Sequence, residues 1–197
     1  ISVYDDLVED MRATANEDGT ADAGLTFFGQ LVDHDITLDA TSALGKQIDP
    51  ATIPNARTPA LDLDCVYGAG PEASPHLYGK GETGEYLLFG RMDNPIDLAR
   101  TCVGTALIGD PRNDENVIVS QIQGALICLH NILMDKVEHG DLSSTVQDCA
   151  QMGVDPKAWA RYVPEKLRSF EEVRRFIRLH YQWIIWNELL PAFCDQA

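Results

Sequence analysis

The run Phe27-Phe28-Gly29-Gln30-Leu31-Val32-Asp33-His34-Asp35 joins an apolar helical repeat to a cluster of side chains able to do chemistry. Read as part of a helix over about residues 23–35, it puts Gln30 and His34 four apart on one face, with Asp33 a turn from Gln30. Phe28, Leu31 and Val32 anchor the segment in a core, so three polar groups converge on one spot. Asp35 points elsewhere, and a carboxylate on each side of one histidine can serve two different sites. A lone histidine on an apolar helix is more often a hydrogen-bonded core residue than a catalyst. The segments around it decide between these readings.

Outward from that helix, the chain is long enough at 197 residues, 45% of them hydrophobic, to bury a substantial core, and it predicts a single domain over 1–197. Lys and Arg total 15 against 31 Asp and Glu, a formal charge of −16. That balance argues against sequence-independent binding to nucleic acid or to an anionic membrane. The five cysteines, Cys65, Cys102, Cys128, Cys149 and Cys194, show no C-x-x-C spacing, so neither a zinc site nor a dense disulfide framework is indicated. No apolar run reaches bilayer length, so no transmembrane segment is expected. The first residue is Ile1, which reads as a processed, trimmed or cloned end and leaves room for a removed signal peptide.

Before the central helix, residues 1–13 show a helical pattern of Val3, Leu7, Val8 and Met11 among acids. After it, residues 37–57 read as a surface loop, and the interval 71–110, rich in Gly and Pro, predicts hairpins or irregular loops over a helical body. Ile118, Ile122, Ala125, Leu126, Leu129, Leu133 and Val137 recur at three and four, predicting a long helix from about 115 to 138 stopped by Gly140. Shorter helices are expected at 142–151 and 155–161. Ser169 with Glu172 forms a capping box opening a last helix, with Val173, Phe176, Ile177, His180 and Ile184 as its buried stripe up to Pro191. The sum is a mainly α fold with loop excursions.

Two polar sets stand out beyond the central helix. In Thr58-Pro59-Ala60-Leu61-Asp62-Leu63-Asp64, alternate positions of an extended loop face one side. The Thr58 hydroxyl, the Ala60 carbonyl, Asp62 and Asp64 would then surround one hard cation, with Asp35 reaching in from the helix. Oxygen ligands without His or Cys favour calcium, although Asp-x-Asp is common on solvated loops. The second set, Asp110-Pro111-Arg112-Asn113-Asp114-Glu115-Asn116, opens the long helix. Arg112 and Glu115, three apart, present one positive and one negative charge, or form a structural ion pair or helix cap.

Taken together, Gly29-Gln30-Leu31-Val32-Asp33-His34-Asp35, Leu61-Asp62-Leu63-Asp64-Cys65-Val66-Tyr67-Gly68, Gly109-Asp110-Pro111-Arg112-Asn113-Asp114-Glu115-Asn116 and Leu129-His130-Asn131 resemble the animal haem peroxidase superfamily, in the family's order. The group includes myeloperoxidase, lactoperoxidase and bacterial relatives. By position, the resemblance makes His34 the distal base that takes a proton from hydrogen peroxide and returns it to the departing oxygen. It makes Arg112 the guanidinium that stabilises charge developing as the oxygen–oxygen bond breaks, and Gln30 the holder of distal water or a halide. Asp33 and Glu115 match the carboxylates that form ester links to a b-type haem in the vertebrate members. Asp35, Thr58, Ala60, Asp62 and Asp64 match the calcium loop, with Asp64 where many relatives carry Ser. The family also implies a halide or small organic donor as second substrate, and a secreted location.

One departure limits this. Haem iron in such enzymes needs a proximal histidine, which in the family lies on a helix after the segment resembled by Gln182-Trp183-Ile184-Ile185-Trp186-Asn187-Glu188-Leu189-Leu190-Pro191. The expected position falls beyond Ala197. His130 matches a non-ligand His-Asn pair, His76 and His139 lie in loops, and His180 in the buried stripe reads as structural. The chain therefore reads as the amino-terminal, distal-side portion of such a domain, with a missing C-terminal part or a second chain supplying the ligand. On this reading it has little peroxidase activity alone. One rival is a haem fatty-acid oxygenase of the same fold, although those enzymes usually lack an aspartate beside the distal histidine. The other is a non-catalytic, calcium-stabilised helical module without haem.

Overall fold

A computed structural model describes residues 2–10, 12, 19, 21–42, 45, 47–80, 84–140 and 167–194. The fold is mainly α. Helix α1 (Ser2–Asp10) precedes α2 (Ala23–Ile36), the predicted central helix to within a residue. A short α3 (Asp64–Tyr67) follows the acidic loop, and a two-stranded antiparallel hairpin pairs β1 (Tyr78–Lys80) with β2 (Tyr86–Leu87). Next come the 3-10 turn Pro111–Asp114 and the long α4 (Val117–His139). Last come α5 (Phe170–Ile184), a π-helical turn over Ile185–Leu189, and α6 (Leu190–Phe193). The helices expected at 142–151 and 155–161 lie outside the described residues.

Caps explain where the main helices start and stop. Asn116 begins α4 by accepting from the Ile118 and Val119 N–H groups at 3.1 and 3.0 Å, a cap worth about 1 kcal/mol. Gly140 ends it in the left-handed region at φ +68, where a glycine has no Cβ to clash. Ser169 caps α5 as expected, its Oγ accepting from Glu172 N–H, while the Glu172 carboxylate reaches back to Arg168 N–H. Pro191 lacks the N–H a regular α turn would use, and the widened π turn lies immediately before α6.

One apolar cluster joins α2, α3, the hairpin, α4 and α5. Leu31, Leu63, Val66, Leu87, Ile127, Leu133, Val173 and Ile177 are each almost fully buried within it. Full burial of such a side chain is worth about 1.5–3 kcal/mol.

The inner face of α4 differs from the one periodicity predicts. Ile118 is exposed, Ala125 is exposed, and Ile122, Leu126, Leu129 and Val137 are only partly covered. The fully buried face instead carries Val119, Gln123, Ile127, His130, Asn131 and Met134. Its polar members are satisfied. Asn131 accepts from Leu87 N–H and donates to Leu87 C=O, both at 2.9 Å, so the amide pairs with β2 as another strand would. His130 lies between the Tyr67 hydroxyl at 3.3 Å and the Glu85 carbonyl at 3.0 Å, and Tyr86 donates to Asp135 at 2.8 Å. Burial depresses His130 to about 4, so it is neutral at pH 7. By length and composition α4 is apolar enough to cross a bilayer, yet more than half of its most apolar stretch is buried within this fold.

A second difference falls on α5. Val173 and Ile177 are buried as expected, but His180 is exposed, its ring tilted against that of Phe176 with centroids 4.4 Å apart. The inner stripe runs at intervals of four from Val173 and Ile177 through Tyr181 to Ile185 and Leu189, which leaves His180 one position off it. Leu179, Trp183 and Trp186 are left at 53–68% exposure on the outer side.

Candidate functional site

The C-terminal half of α2, the acidic loop and the 3-10 turn before α4 meet around two polar groups that share one arginine.

The first is the acid cluster. Asp35 (fully buried), Asp62 and Asp64 each offer a carboxylate oxygen within 4.8 Å of the others. The backbone brings them together differently from the expected extended alternation: Leu61 and Leu63 sit in the left-handed region at φ 52 and 60, and Asp64 already belongs to α3. Such positive φ values are uncommon outside glycine and mark a loop held in place by its contacts. Leu63 N–H donates to Asp35 Oδ2 at 3.2 Å, and the Thr58 hydroxyl donates to Asp62 Oδ2 at 2.8 Å. The Ala60 carbonyl, also expected as a ligand, accepts from Gln182 Nε2 at 3.3 Å, as does that of Leu61 at 3.1 Å.

Two buried oxygens, Asp35 Oδ1 and Asp62 Oδ1, make no well-formed hydrogen bond among the described residues, and neither does the Tyr181 hydroxyl, although Tyr181 and the Cys65 thiol both lie against Asp35. Asp64 Oδ1 lies 3.2 Å from Arg57 Nη1, an ion pair without hydrogen-bond alignment. The electrostatics reflect this crowding. Burial raises Asp35, partly offset by the Leu63 N–H, and burial together with the neighbouring Asp35 and Asp62 lifts Asp64 to about 6 against the pull of Arg57. Unpaired buried carboxylate oxygens gathered this closely fit a hard cation such as calcium.

The second group gathers His34, Gln30 and Arg112. His34 is buried, its Nδ1 2.7 Å from Asn113 Oδ1. Gln30 Oε1 accepts from Asn116 Nδ2 at 3.2 Å. Because Asn116 Oδ1 is taken by two N–H groups of α4, its amide orientation is fixed, and the Gln30 amide is turned to present its NH2 outward. Arg112 reaches the same end of α2 but bonds to its backbone: Nη2 donates to the carbonyls of His34, at 3.0 Å, and Thr37. Its Nε and Nη2 also clasp both oxygens of Asp110, which keeps the guanidinium charge favoured.

The imidazole and guanidinium expected to face one another are thus neighbours that point apart, one toward Asn113 and the other across carbonyl oxygens. Asp33 and Glu115 are both exposed, Asp33 close enough to favour the Arg112 charge, and Glu115 ending the 3-10 turn.

Arg57 and Asp110 link the two groups, and periodicity gave neither any prominence. Arg57 donates to Asp110 Oδ2 at 2.6 Å and to the Gly109 carbonyl at 3.2 Å, while its other nitrogen faces Asp64. Burial works against Asp110 ionising, but Arg112 and Arg57 together hold it below the ordinary carboxylate range. Gly109 makes the close approach possible, since a Cβ there would collide with the carbonyls of Asp64 and Cys65. No local sequence pattern signals this junction, because Arg57 and Asp110 stand 53 residues apart in the chain.

A cavity of about 280 Å3 also opens beside α2, lined by Leu25, Thr26, Gly29, Leu189, Leu190 and Phe193. Its wall is apolar except for Thr26, and His34 and Arg112 do not line it. No family model matches the chain, and neither a curated protein nor a solved structure matches it.

Proposed function

We propose that this chain carries the distal side of a haem peroxidase-like site together with one calcium site, in an animal haem peroxidase-type fold. The observation that supports the reading is that Gln30, His34 and Arg112 lie along the C-terminal half of α2, each held by the segment before or at the start of α4 or by the α2 backbone, beside an acid cluster with buried oxygens lacking well-formed hydrogen bonds. Three of the four sequence motifs, those holding Gln30, Asp62 and Arg112, adjoin at this place, which supports one working unit.

The residues present suit the work. A b-type haem would supply the iron at which peroxide is activated. His34 Nε2, with no partner among the described residues, would accept a proton from hydrogen peroxide and return it to the departing oxygen. The Gln30 NH2 would donate to a peroxide oxygen, a water or a halide. Arg112 Nη1, the guanidinium nitrogen without a partner among the described residues, would steady developing negative charge. Asp33 and Glu115 would flank the group, and Asp35, Asp62 and Asp64 would hold calcium with the Thr58 hydroxyl and the Ala60 carbonyl. The electrons would come from a halide or a small organic donor.

Adding haem to the purified chain should produce a Soret band that His34→Ala and Arg112→Ala each weaken at least tenfold in apparent affinity. No Soret band in the parent chain, or equal bands in both variants, would refute the haem reading. The competing reading, a calcium-stabilised helical module without haem, is favoured by Arg112 being engaged with carbonyl oxygens. It would be supported by calcium-dependent melting without haem uptake.

A further inference from the structure

The hydrogen bonds around His34 determine which of its nitrogens carries the proton. Asn113 Oδ1 faces His34 Nδ1 at 2.7 Å, Asn113 Nδ2 donates to Gln123 Oε1 at 2.8 Å, and Gln123 Nε2 donates to the Cys65 carbonyl at 3.4 Å. All three side chains are buried. An amide side chain can be reversed without changing its shape, so each orientation follows from its neighbours. A backbone carbonyl can only accept, so Gln123 must direct its NH2 at Cys65 and its oxygen at Asn113. Asn113 then has to offer NH2 to Gln123 and oxygen to His34. Reversing either amide would set two oxygens or two NH2 groups against each other in a buried place, at about 1–3 kcal/mol per lost partner.

We infer that Asn113 and Gln123 are positioning residues that lock His34 in the Nδ1–H tautomer, leaving Nε2 as an unprotonated acceptor. The polarity starts at the Cys65 carbonyl and passes through two amides to the imidazole. Asn113 lies in the 3-10 turn beside Arg112, and Gln123 on the inner face of α4, so the helix that packs the core also sets the base. His130 provides an internal contrast. Its Nε2 faces the Glu85 carbonyl and its Nδ1 the Tyr67 hydroxyl, which requires the opposite tautomer, Nε2–H.

The inference rests on the proposed role of His34 for its meaning in catalysis, but its test needs neither haem nor peroxide. Long-range 1H–15N correlation spectra of the 15N-labelled chain at alkaline pH, where imidazole is neutral, should show His34 as Nδ1–H and His130 as Nε2–H. Asn113→Leu should lower the Nδ1–H to Nε2–H ratio of His34 about fivefold or more, as loss of one neutral hydrogen bond implies. Asn113→Asp, which can only accept, should keep the Nδ1–H form, and Gln123→Leu should weaken the preference by freeing the Asn113 amide to turn. A predominantly Nε2–H His34 in the unaltered chain would overturn the inference even if no variant folds. So would an unchanged ratio in Asn113→Leu. Failure of haem uptake with an Nδ1–H His34 would remove the peroxidase reading and leave this one standing.

Discussion

The surroundings of the two ends of α4 hold buried polar groups in opposite states. In the C-terminal half, Asn131 is saturated by β2, His130 has a partner on each nitrogen, and Asp135 accepts from Tyr86. Near the N-terminal end, beyond the paired amides of Asn113 and Gln123, lie Asp35 Oδ1 and Asp62 Oδ1, buried in the acid cluster without a well-formed hydrogen bond among the described residues. A polar group whose every valence is met is architecture. One that remains open while buried reduces stability, and it persists where a ligand completes it.

The contrast is broken most directly by substitution. Asn131→Leu strands the N–H and C=O of Leu87 in the core and should lower unfolding stability by about 4 kcal/mol, two unmet groups at about 2 kcal/mol each. Without calcium, Asp35→Asn should leave stability unchanged or raise it, because it removes a charge that burial already disfavours. Urea melts in a chelator measure both. Equal losses in the two variants would dissolve the distinction.

Acid separates the halves by sign. His130 has a folded-state pKa of about 4 against an ordinary 6.5, so the unfolded chain binds the proton more readily. Its contribution is fully present above pH 6.5 and is lost as pH falls toward 4, a loss of about 3 kcal/mol. Asp64 runs the other way: lifted to about 6, it binds its proton more tightly in the folded chain, so acidification through pH 6 relieves it. Stepped-pH melts of Asp64→Asn should show the His130 loss unopposed, whereas the parent chain in chelator should show a flatter profile.

Calcium sharpens the comparison further. At a hundred times its dissociation constant a single bound ion adds about 2.7 kcal/mol. The increment should shrink between pH 7 and 5 as protons compete for Asp64 and Asp35, and should vanish in Asp35→Asn. Smallest of all, Ser169→Ala at the start of α5, remote from both groups, should cost about 1 kcal/mol and leave the calcium increment unchanged.

Helix positions were legible in the sequence because caps and periodicity are local. Asn116, Gly140 and Ser169 mark ends that the structure reproduces. The inner face of α4 was not. Periodicity weighs Gln123, His130 and Asn131 as solvent-seeking, whereas Asn113 in the preceding turn and, from more than forty residues away, the Leu87 backbone and the Glu85 carbonyl make them the right residues to bury. The acid cluster was legible as a set of residues but not as a shape. Alternation predicted an extended loop, yet Leu61 and Leu63 take left-handed backbone angles that break it. Arg57 stood at the edge of a motif and drew no attention, since its role depends on Asp110 arriving from more than fifty residues away.

That arginine has a consequence for how the molecule would respond to its surroundings. Arg57 divides one positive charge between Asp64 and Asp110, and Asp110 is the carboxylate that aims Arg112. An ion that neutralises Asp64 frees Arg57 to lean toward Asp110, and the hold of Asp110 on Arg112 changes in turn. Tuning one end of this chain of charges therefore retunes the other, and by reciprocity whatever engages Arg112 would alter how strongly the loop could hold a cation.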